Sequence, residues 1–157
     1  KSIFGSKAFF SNITDSYFLK KNDEIKVSKK SKNKILKWDR FNFKLNRSIE
    51  VFKGPEFDLL SSNSKNKLFK NEFTISTNNR MAYNLVEKLQ VGTKSIISSP
   101  VLPGSVQLTP SGKMIILHRD CQTTGGYPRI LQLNISSLNY LSQLKSTDKI
   151  KLRLINL

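Results

Sequence analysis

The chain has 157 residues, of which 38% are hydrophobic and 24% are charged, which is enough for one domain with a buried core. A single cysteine, Cys121, excludes an internal disulfide framework, and no apolar run reaches the roughly 18 residues that span a bilayer. The net charge of +16 comes from 21 lysines and 6 arginines against 11 acidic residues. Because base-specific readout prefers arginine, we expect no nucleic-acid partner, and we expect no membrane partner either.

The N-terminal residues 1–46 are polar, basic and rich in loop formers. Residues 20–47 carry 11 basic and 3 acidic side chains, and 28–34 is the most solvated run. The alternation of Phe41, Phe43 and Leu45 with polar neighbours favours one strand near the end of this region. We predict that residues 1–46 are a linker or a remnant of a preceding lobe. No extended apolar segment opens the chain, so we expect a cytoplasmic protein. Because the first methionine is Met81, we expect the chain to begin inside a longer one.

The sequence pattern of residues 47–157 predicts a region of short strands, with clearer signals than residues 1–46 give. Apolar residues alternate with polar ones or form short apolar runs, and turn residues separate them. The predicted strands are Ile49–Phe52, Phe73–Ile75, Met81–Leu85, Val106–Leu108, Met114–Leu117, Ile130–Leu133 and Ile150–Leu154. Pro110–Lys113 predicts a tight turn. Frequent turns between short strands favour a β-barrel or a sandwich.

Two short helices are predicted between these strands. One follows Pro55 and contains Phe57, Leu59 and Leu60, since proline suits a first helical turn. The other places Leu138, Leu141 and Leu144 on one face, with Ser136 or Ser137 as its N-cap. The fold class is therefore mainly β, with one or two short helices.

The loop Asp120–Arg129, with sequence DCQTTGGYPR, gathers a carboxylate, an amide, two hydroxyls, a phenol and a guanidinium around two glycines. It follows a buried strand, where polar groups can converge on a small ligand. Paired glycines are expected to supply positive φ and a close approach of the backbone to that ligand. The alternative is a β-turn in which threonine and glycine serve geometry alone.

These residues resemble a known family. Ser98–Leu108 followed by Asp120–Arg129 resembles the C-terminal signature of the biotin-dependent carboxyltransferases, S-x-x-V-x-P-G-x-I/V-Q and then D-x-Q-T-T-G-G-Y-P-R-I. That family includes allophanate hydrolase subunit 2, the C-type subunit of 5-oxoprolinase and the carboxyltransferase part of urea carboxylase. Ser76–Tyr83 resembles its S-x-x-S-D-R-M-G-Y segment, although Ala82 replaces a glycine and Asn84 an arginine. The resemblance covers 47–157, is weaker over 1–46, and leaves out the family's N-terminal half.

The resemblance implies a cyclophilin-like β-barrel lobe that works beside A-type and B-type partner proteins. For a 5-oxoprolinase it implies ATP-dependent opening of 5-oxo-L-proline, a small cyclic amide, to L-glutamate. The first alternative is a carboxyltransferase lobe of the urea carboxylase or allophanate hydrolase type, in which biotin takes part. The second is a non-catalytic regulatory partner of a kinase inhibitor similar to the B-type protein, an alternative that the changes at Ala82 and Asn84 favour.

Asp120 is the predicted catalytic residue, as a general base or as an acceptor for the substrate amide, with capping of its own loop as the alternative role. Arg80 and Arg129 are expected to hold a carboxylate or phosphate, or else to form ordinary salt bridges. The remaining predicted substrate-binding residues are Tyr83, Gln107, Thr123, Thr124, Gly125, Gly126 and Tyr127. Packing is the alternative role for the two tyrosines.

His118 is the only histidine, and no second metal ligand accompanies it in the sequence, so no metal site is predicted. Cys121 is expected to have a raised pKa beside the Asp120 carboxylate and to take no part in chemistry. The sequence contains neither a nucleophile elbow nor a P-loop.

Overall fold

The computed structural model of the chain describes residues 21–24, 48–90 and 95–156. The chain divides into two compact units, Lys1–Arg40 and Phe41–Leu157. In the first unit, residues 21–24 are an exposed turn. The loop predicted at 28–34, the strand predicted at Phe41–Leu45 and the predicted boundary after residue 46 lie outside the described residues.

Seven strands of the second unit close into a barrel, in the order β1-β8-β5-β6-β3-β2-β9. Neighbouring strands are antiparallel, except that β1 and β9 pair in parallel and complete the circle. The barrel strands are β1 (Ser48–Lys53), β2 (Glu72–Asn78), β3 (Ala82–Lys88), β5 (Ser105–Leu108), β6 (Lys113–Leu117), β8 (Arg129–Leu133) and β9 (Lys149–Leu154). The mainly β barrel predicted from the sequence is confirmed.

The core fills the inside of this barrel, because alternate residues of each strand point inward. Residues Ile49, Ile75, Ile116 and Ile150 come from four different strands, and each is at most 1% exposed. The outward positions of β9, Lys149, Lys151 and Arg153, remain in solvent. The one wet face predicted for this strand is therefore confirmed.

A two-stranded ribbon stands apart from the barrel. It consists of β4 (Ser99–Pro100) and β7 (Thr124–Gly125), which pair antiparallel. The tight turn predicted at Pro110–Lys113 joins β5 to β6, and Gly112 takes a φ of 81° there. Among the described residues, no helix is long and apolar enough to cross a membrane.

Three helical segments are present in the described part of the chain. A 3₁₀ turn at Phe57–Leu59 confirms the short helix predicted after Pro55, and α2 (Ile135–Leu141) confirms the second helix. The helix α1 (Ser62–Lys70) was not predicted; the Ser61 side chain caps it by accepting a hydrogen bond from the Ser64 N–H.

The cap predicted for α2 is wrong. Asn134, not Ser136 or Ser137, is the N-cap, and its side chain accepts a 2.7 Å hydrogen bond from the Ser137 N–H. Ser137 is buried in the first turn, and its hydroxyl instead accepts a 2.8 Å hydrogen bond from the Glu50 N–H of β1. That contact anchors α2 to the barrel.

Candidate functional site

The loop between β6 and β8 contributes the ribbon strand β7, and backbone hydrogen bonds on both sides of that strand hold it to the segment around β4. The Val101 N–H donates to the Thr123 carbonyl and the Ile96 N–H donates to the Gly126 carbonyl, both over 2.9 Å. These bonds flank the pairing of β4 with β7. The loop is thus held as a defined structure, a requirement for a site that orients a ligand.

Gln107 lies directly beneath the paired glycines. Its side chain is 1% exposed, and a Cβ added to Gly125 would stand 2.4 Å from the Gln107 amide nitrogen. That nitrogen donates to the Tyr127 carbonyl over 3.4 Å. Gln107 was predicted to bind substrate. It lies on the loop side of β5 but is buried there against Gly125 and the Tyr127 carbonyl, and its role in substrate binding stays a prediction.

The expected reason for the glycines is corrected by this geometry. Positive-φ glycines among the described residues are Gly104 and Gly112, so neither Gly125 nor Gly126 takes the left-handed conformation. Glycine is instead needed at position 125 because the Gln107 amide packs against its Cα and leaves no room for a Cβ. The close approach observed at Gly125 is to a protein side chain, and the predicted approach of the backbone to a ligand stays a prediction.

Asp120 is paired with Arg80 in a two-bond fork. The Arg80 Nε donates to one carboxylate oxygen over 2.5 Å, and an Nη donates to the other over 2.9 Å. This pair lies in solvent, with 78% of the Arg80 side chain and 48% of the Asp120 side chain exposed. The hydrogen bonds and charge of Arg80 lower the pKa of Asp120, and Asp120 in turn raises the pKa of Arg80.

Backbone contacts fix the two side chains of this fork on neighbouring turns. The Asp120 N–H donates to the Arg80 carbonyl over 2.9 Å, and the His118 N–H donates to the Met81 carbonyl over 2.8 Å. The Asn79 side chain caps the Arg80 turn by accepting from the N–H groups of Met81 and Ala82. The Asp120 carboxylate accepts hydrogen bonds from Arg80 and does not cap its own loop in the described structure.

Arg129 forms a second fork, with Glu56, at the other end of the loop. Its Nε and one Nη donate to the two Glu56 oxygens over 2.9 and 2.7 Å, and its own N–H donates to Glu56 over 2.8 Å. The other Nη donates to the Pro100 carbonyl over 2.7 Å. Side-chain exposure is 19% for Arg129 and 17% for Glu56, and the pairing lowers the pKa of Glu56. The sequence pattern indicated no site role for Glu56, because only the fold brings it to Arg129.

Tyr83 and His118 pack together below the Arg80–Asp120 fork. Their ring centroids are 5.3 Å apart, Tyr83 is 4% exposed and His118 is 7% exposed. Neither His118 ring nitrogen makes a hydrogen bond of ordinary geometry to a described residue. Burial, more than any neighbouring charge, lowers the pKa of His118. Tyr83 therefore belongs to the core in this structure, in line with the packing alternative.

The remaining predicted residues form the outer face of the loop. Thr123, Thr124 and Tyr127 are exposed, and the two glycines are half-buried. Cys121 has a raised pKa, as predicted, although burial contributes more to it than Asp120 does. Together the loop presents hydroxyl groups and a phenol beside the Asp120 carboxylate.

Two cavities of about 340 and 540 Å³ lie elsewhere in the described structure, and neither is lined by any predicted site residue. Within residues 48–90 and 95–156, no three His, Cys, Asp or Glu side chains come together as metal ligands. Within the described residues, the candidate site is the exposed face of the loop, with Asp120 and Arg80 at one end and Arg129 at the other.

Fold and site together define a β-barrel lobe that carries a glycine-containing loop supported over one strand. The family model for the carboxyltransferase domain, subdomain A and B, matches residues 1–154. The chain belongs to this family, and the resemblance drawn from the loop motif is confirmed.

Two curated relatives are similar over most of the chain, and both are named as the C-type subunit of 5-oxoprolinase. The Escherichia coli protein is 29% identical over 129 residues, covering 80% of this chain and 42% of the relative. The Haemophilus influenzae protein is 33% identical over 112 residues, covering 69% of this chain and 36% of the relative. The chain thus spans about two fifths of the length of these relatives.

The fold is also similar to that of a solved enzyme structure. The urea amidolyase of Kluyveromyces lactis matches with a TM-score of 0.65 and 19% identity, over 69% of this chain and 7% of that chain. At this identity the likeness supports the barrel fold alone.

Proposed function

We propose that the chain is part of an ATP-dependent 5-oxoprolinase that opens 5-oxo-L-proline to L-glutamate together with A-type and B-type partner proteins. The observation that carries the proposal is the complete Asp120–Arg129 loop, assembled with Arg80 beside Asp120. The names of the two curated relatives supply the substrate class. Because the chain spans only part of those relatives, we expect no activity from the chain alone.

In this proposal the loop binds the substrate and moves a proton. Asp120 accepts a proton from the attacking water and passes it to the ring nitrogen as the ring C–N bond breaks. Arg80 binds the substrate carboxylate, and the Thr123 and Thr124 hydroxyls donate to the amide oxygen. Opening a stable lactam requires stabilisation of charge on the amide oxygen and close placement of water more than it requires a protein nucleophile. Gln107 and Arg129 position the loop from below and from its end.

ATP does not fit the described residues of this chain as a complete phosphate site. The Arg129 guanidinium donates to Glu56 and to the Pro100 carbonyl, and in this proposal Arg80 is occupied by the substrate carboxylate. We assign ATP to a site built mainly by the partner proteins, and no step of this chain is derived through it. Cytoplasmic location and assembly with partners are parts of the same proposal.

The alternative of a carboxyltransferase lobe, with biotin as the carrier of the carboxyl group, is favoured by the name of the matching family. In it the same loop would bind a urea-like amide, which has no carboxylate for Arg80. The charge of the substrate therefore separates the two proposals.

The test is 5-oxoproline-dependent ATP hydrolysis by the chain combined with its A-type and B-type partners. Replacing Asp120 by Asn is expected to lower turnover about 100-fold or more, in the range of a lost general base. Asp58→Asn is the matched control, because Asp58 also forms an exposed ion pair, with Lys65 over 3.0 Å, but lies outside the loop. Equal turnover by wild type and Asp120→Asn would contradict a catalytic role for Asp120.

A further inference from the structure

The two arginine–carboxylate forks at the loop differ in how firmly they are held. The Arg129–Glu56 fork is more than four-fifths removed from solvent and includes two further bonds from Arg129, one from its backbone N–H and one to the Pro100 carbonyl. Among the described residues, the side chains of the Arg80–Asp120 fork bond only to each other, and 78% of the Arg80 side chain and 48% of the Asp120 side chain are exposed. Exposed ion pairs are weak and exchange partners readily, whereas breaking a buried pair leaves an uncompensated charge.

A paired Asp120 is a poor base. A carboxylate held by a guanidinium binds a proton less readily, and a general base works best with a pKa close to the working pH. The catalytic role proposed for Asp120 is therefore favoured when Arg80 leaves it, which also frees the two carboxylate oxygens that now accept Arg80 N–H groups. The fork shape already indicates which ligand would displace Asp120, since Arg80 here holds a carboxylate through two parallel bonds.

We propose that the Arg80–Asp120 fork is an exchangeable pair: the carboxylate of a small amide substrate takes over the Arg80 guanidinium and thereby frees Asp120 to accept a proton. This inference rests on the proposed function, because it assigns the carboxylate of that substrate to Arg80. The exchange couples substrate charge to activation of the base. A neutral amide of the same shape leaves Asp120 paired and inactive.

The backbone around the fork allows such an exchange without unfolding. The Asp120 N–H and the Arg80 carbonyl remain bonded, and Asn79 holds the Arg80 turn, so only the two side chains have to move. The other titratable groups that act on or respond to Asp120 are His118, which is buried, and Cys121, which is half-buried.

The test is the pKa of the Asp120 carboxyl in the full 157-residue chain, followed by carbon NMR with no ligand and with saturating 5-oxoproline, 2-pyrrolidinone or inorganic phosphate. 5-Oxoproline is expected to raise this pKa toward the ordinary aspartate range, whereas the uncharged lactam 2-pyrrolidinone leaves it low. Arg80→Gln is expected to raise it without ligand and to abolish the response. Arg153→Gln, which removes a different exposed arginine paired with Glu50, is expected to keep the response.

Three results would overturn the exchange: an unchanged Asp120 pKa with 5-oxoproline bound, an equal shift with 2-pyrrolidinone, or no shift of the loop amides at saturating 5-oxoproline. A shift with phosphate alone would overturn the assignment to a carboxylate. Turnover of 5-oxoproline by the assembled complex, together with an unchanged Asp120 pKa, would leave the proposed function standing and remove only the exchange. A shift with 5-oxoproline but no turnover in the complex would support the exchange and remove the proposed reaction.

Discussion

At the scale of single residues, the positions of the charged groups decide what the loop can do. Arg80 and Arg129 are both in the predicted site, but the fold gives Arg129 a buried carboxylate partner and leaves Arg80 in solvent. The motif indicated both arginines as site residues, but it did not indicate that one is buried in an ion pair and the other is exposed. The reason is that Glu56 lies 73 residues before Arg129, and only the pairing of β1 with β8 brings them together.

Replacing Glu56 by Gln is expected to lower the free energy of unfolding by about 2 kcal/mol at neutral pH, a value reduced for the remaining solvent exposure of the pair. Because the pKa of Glu56 is lowered in the folded state, its contribution is present above its ordinary pKa and is lost as the pH falls through the lowered value. Urea unfolding of wild type and Glu56→Gln at several pH values measures this. A difference that persists undiminished at strongly acidic pH would contradict it.

Replacing His118 by Leu is expected to leave stability unchanged or to raise it by about 1 kcal/mol near neutral pH, because it removes two buried ring nitrogens that make no hydrogen bond of ordinary geometry to a described residue. Since the pKa of His118 is lowered by folding, the unfolded chain binds more protons just below the ordinary histidine pKa. Wild type therefore loses stability as the pH falls through that window, and the variant does not. Parallel pH profiles in thermal unfolding would contradict this account.

At the scale of secondary-structure elements, alternation of apolar and polar residues predicted the barrel strands well. The helix α1 escaped prediction because Ser62–Lys70 is mostly serine, asparagine and lysine, with Leu68 as its only fully buried apolar residue. The cap of α2 was misplaced because Asn134 directly follows the strand β8, where it reads as a strand residue. Contacts with the barrel stabilise the α1 helix and the α2 cap. These contacts join residues far apart in the sequence, so a local sequence pattern does not reveal them.

Replacing Gly54 by Ala is expected to lower the free energy of unfolding by about 3 kcal/mol, since the added Cβ would stand 2.2 Å from the Arg129 carbonyl oxygen. The atoms in the way belong to the backbone of β8, which cannot move aside as a flexible side chain could. Gly126→Ala is the matched control: its Cβ would lie 3.5 Å from the Ile96 carbonyl oxygen, and the change should stay within about 0.5 kcal/mol. Equal losses in chemical unfolding for both variants would contradict the packing described here.

Replacing Asn134 by Ala is expected to destabilise the barrel by about 1 kcal/mol, because it removes the α2 cap. The same side chain also donates to Glu50 over 2.7 Å, so the loss should not be smaller than that of a simple cap. Ser136→Ala tests one of the caps predicted from the sequence and should have little effect, since Ser136 is exposed. A larger loss for Ser136→Ala than for Asn134→Ala in thermal unfolding would contradict the observed cap.

At the scale of the whole molecule, the charge is unevenly divided along the chain. The described residues contain 14 basic and 9 acidic side chains, a net charge of +5 out of +16, so most of the excess lies in the sequence outside them. The barrel is therefore only mildly basic. The loop motif, which is short and specific, predicted the family, and the composition did not.

The measurement that tests the central claim most directly is product formation by the chain assembled with its A-type and B-type partners. Glutamate is followed from 5-oxoproline and ATP, and in parallel carboxylation of urea is followed with carboxybiotin as donor. We predict glutamate formation that requires every component and no carboxylation of urea. Carboxylation without glutamate formation would contradict the claim and assign the loop to a carboxyltransferase. A stable complex that forms neither product would also contradict the claim and would favour a regulatory role.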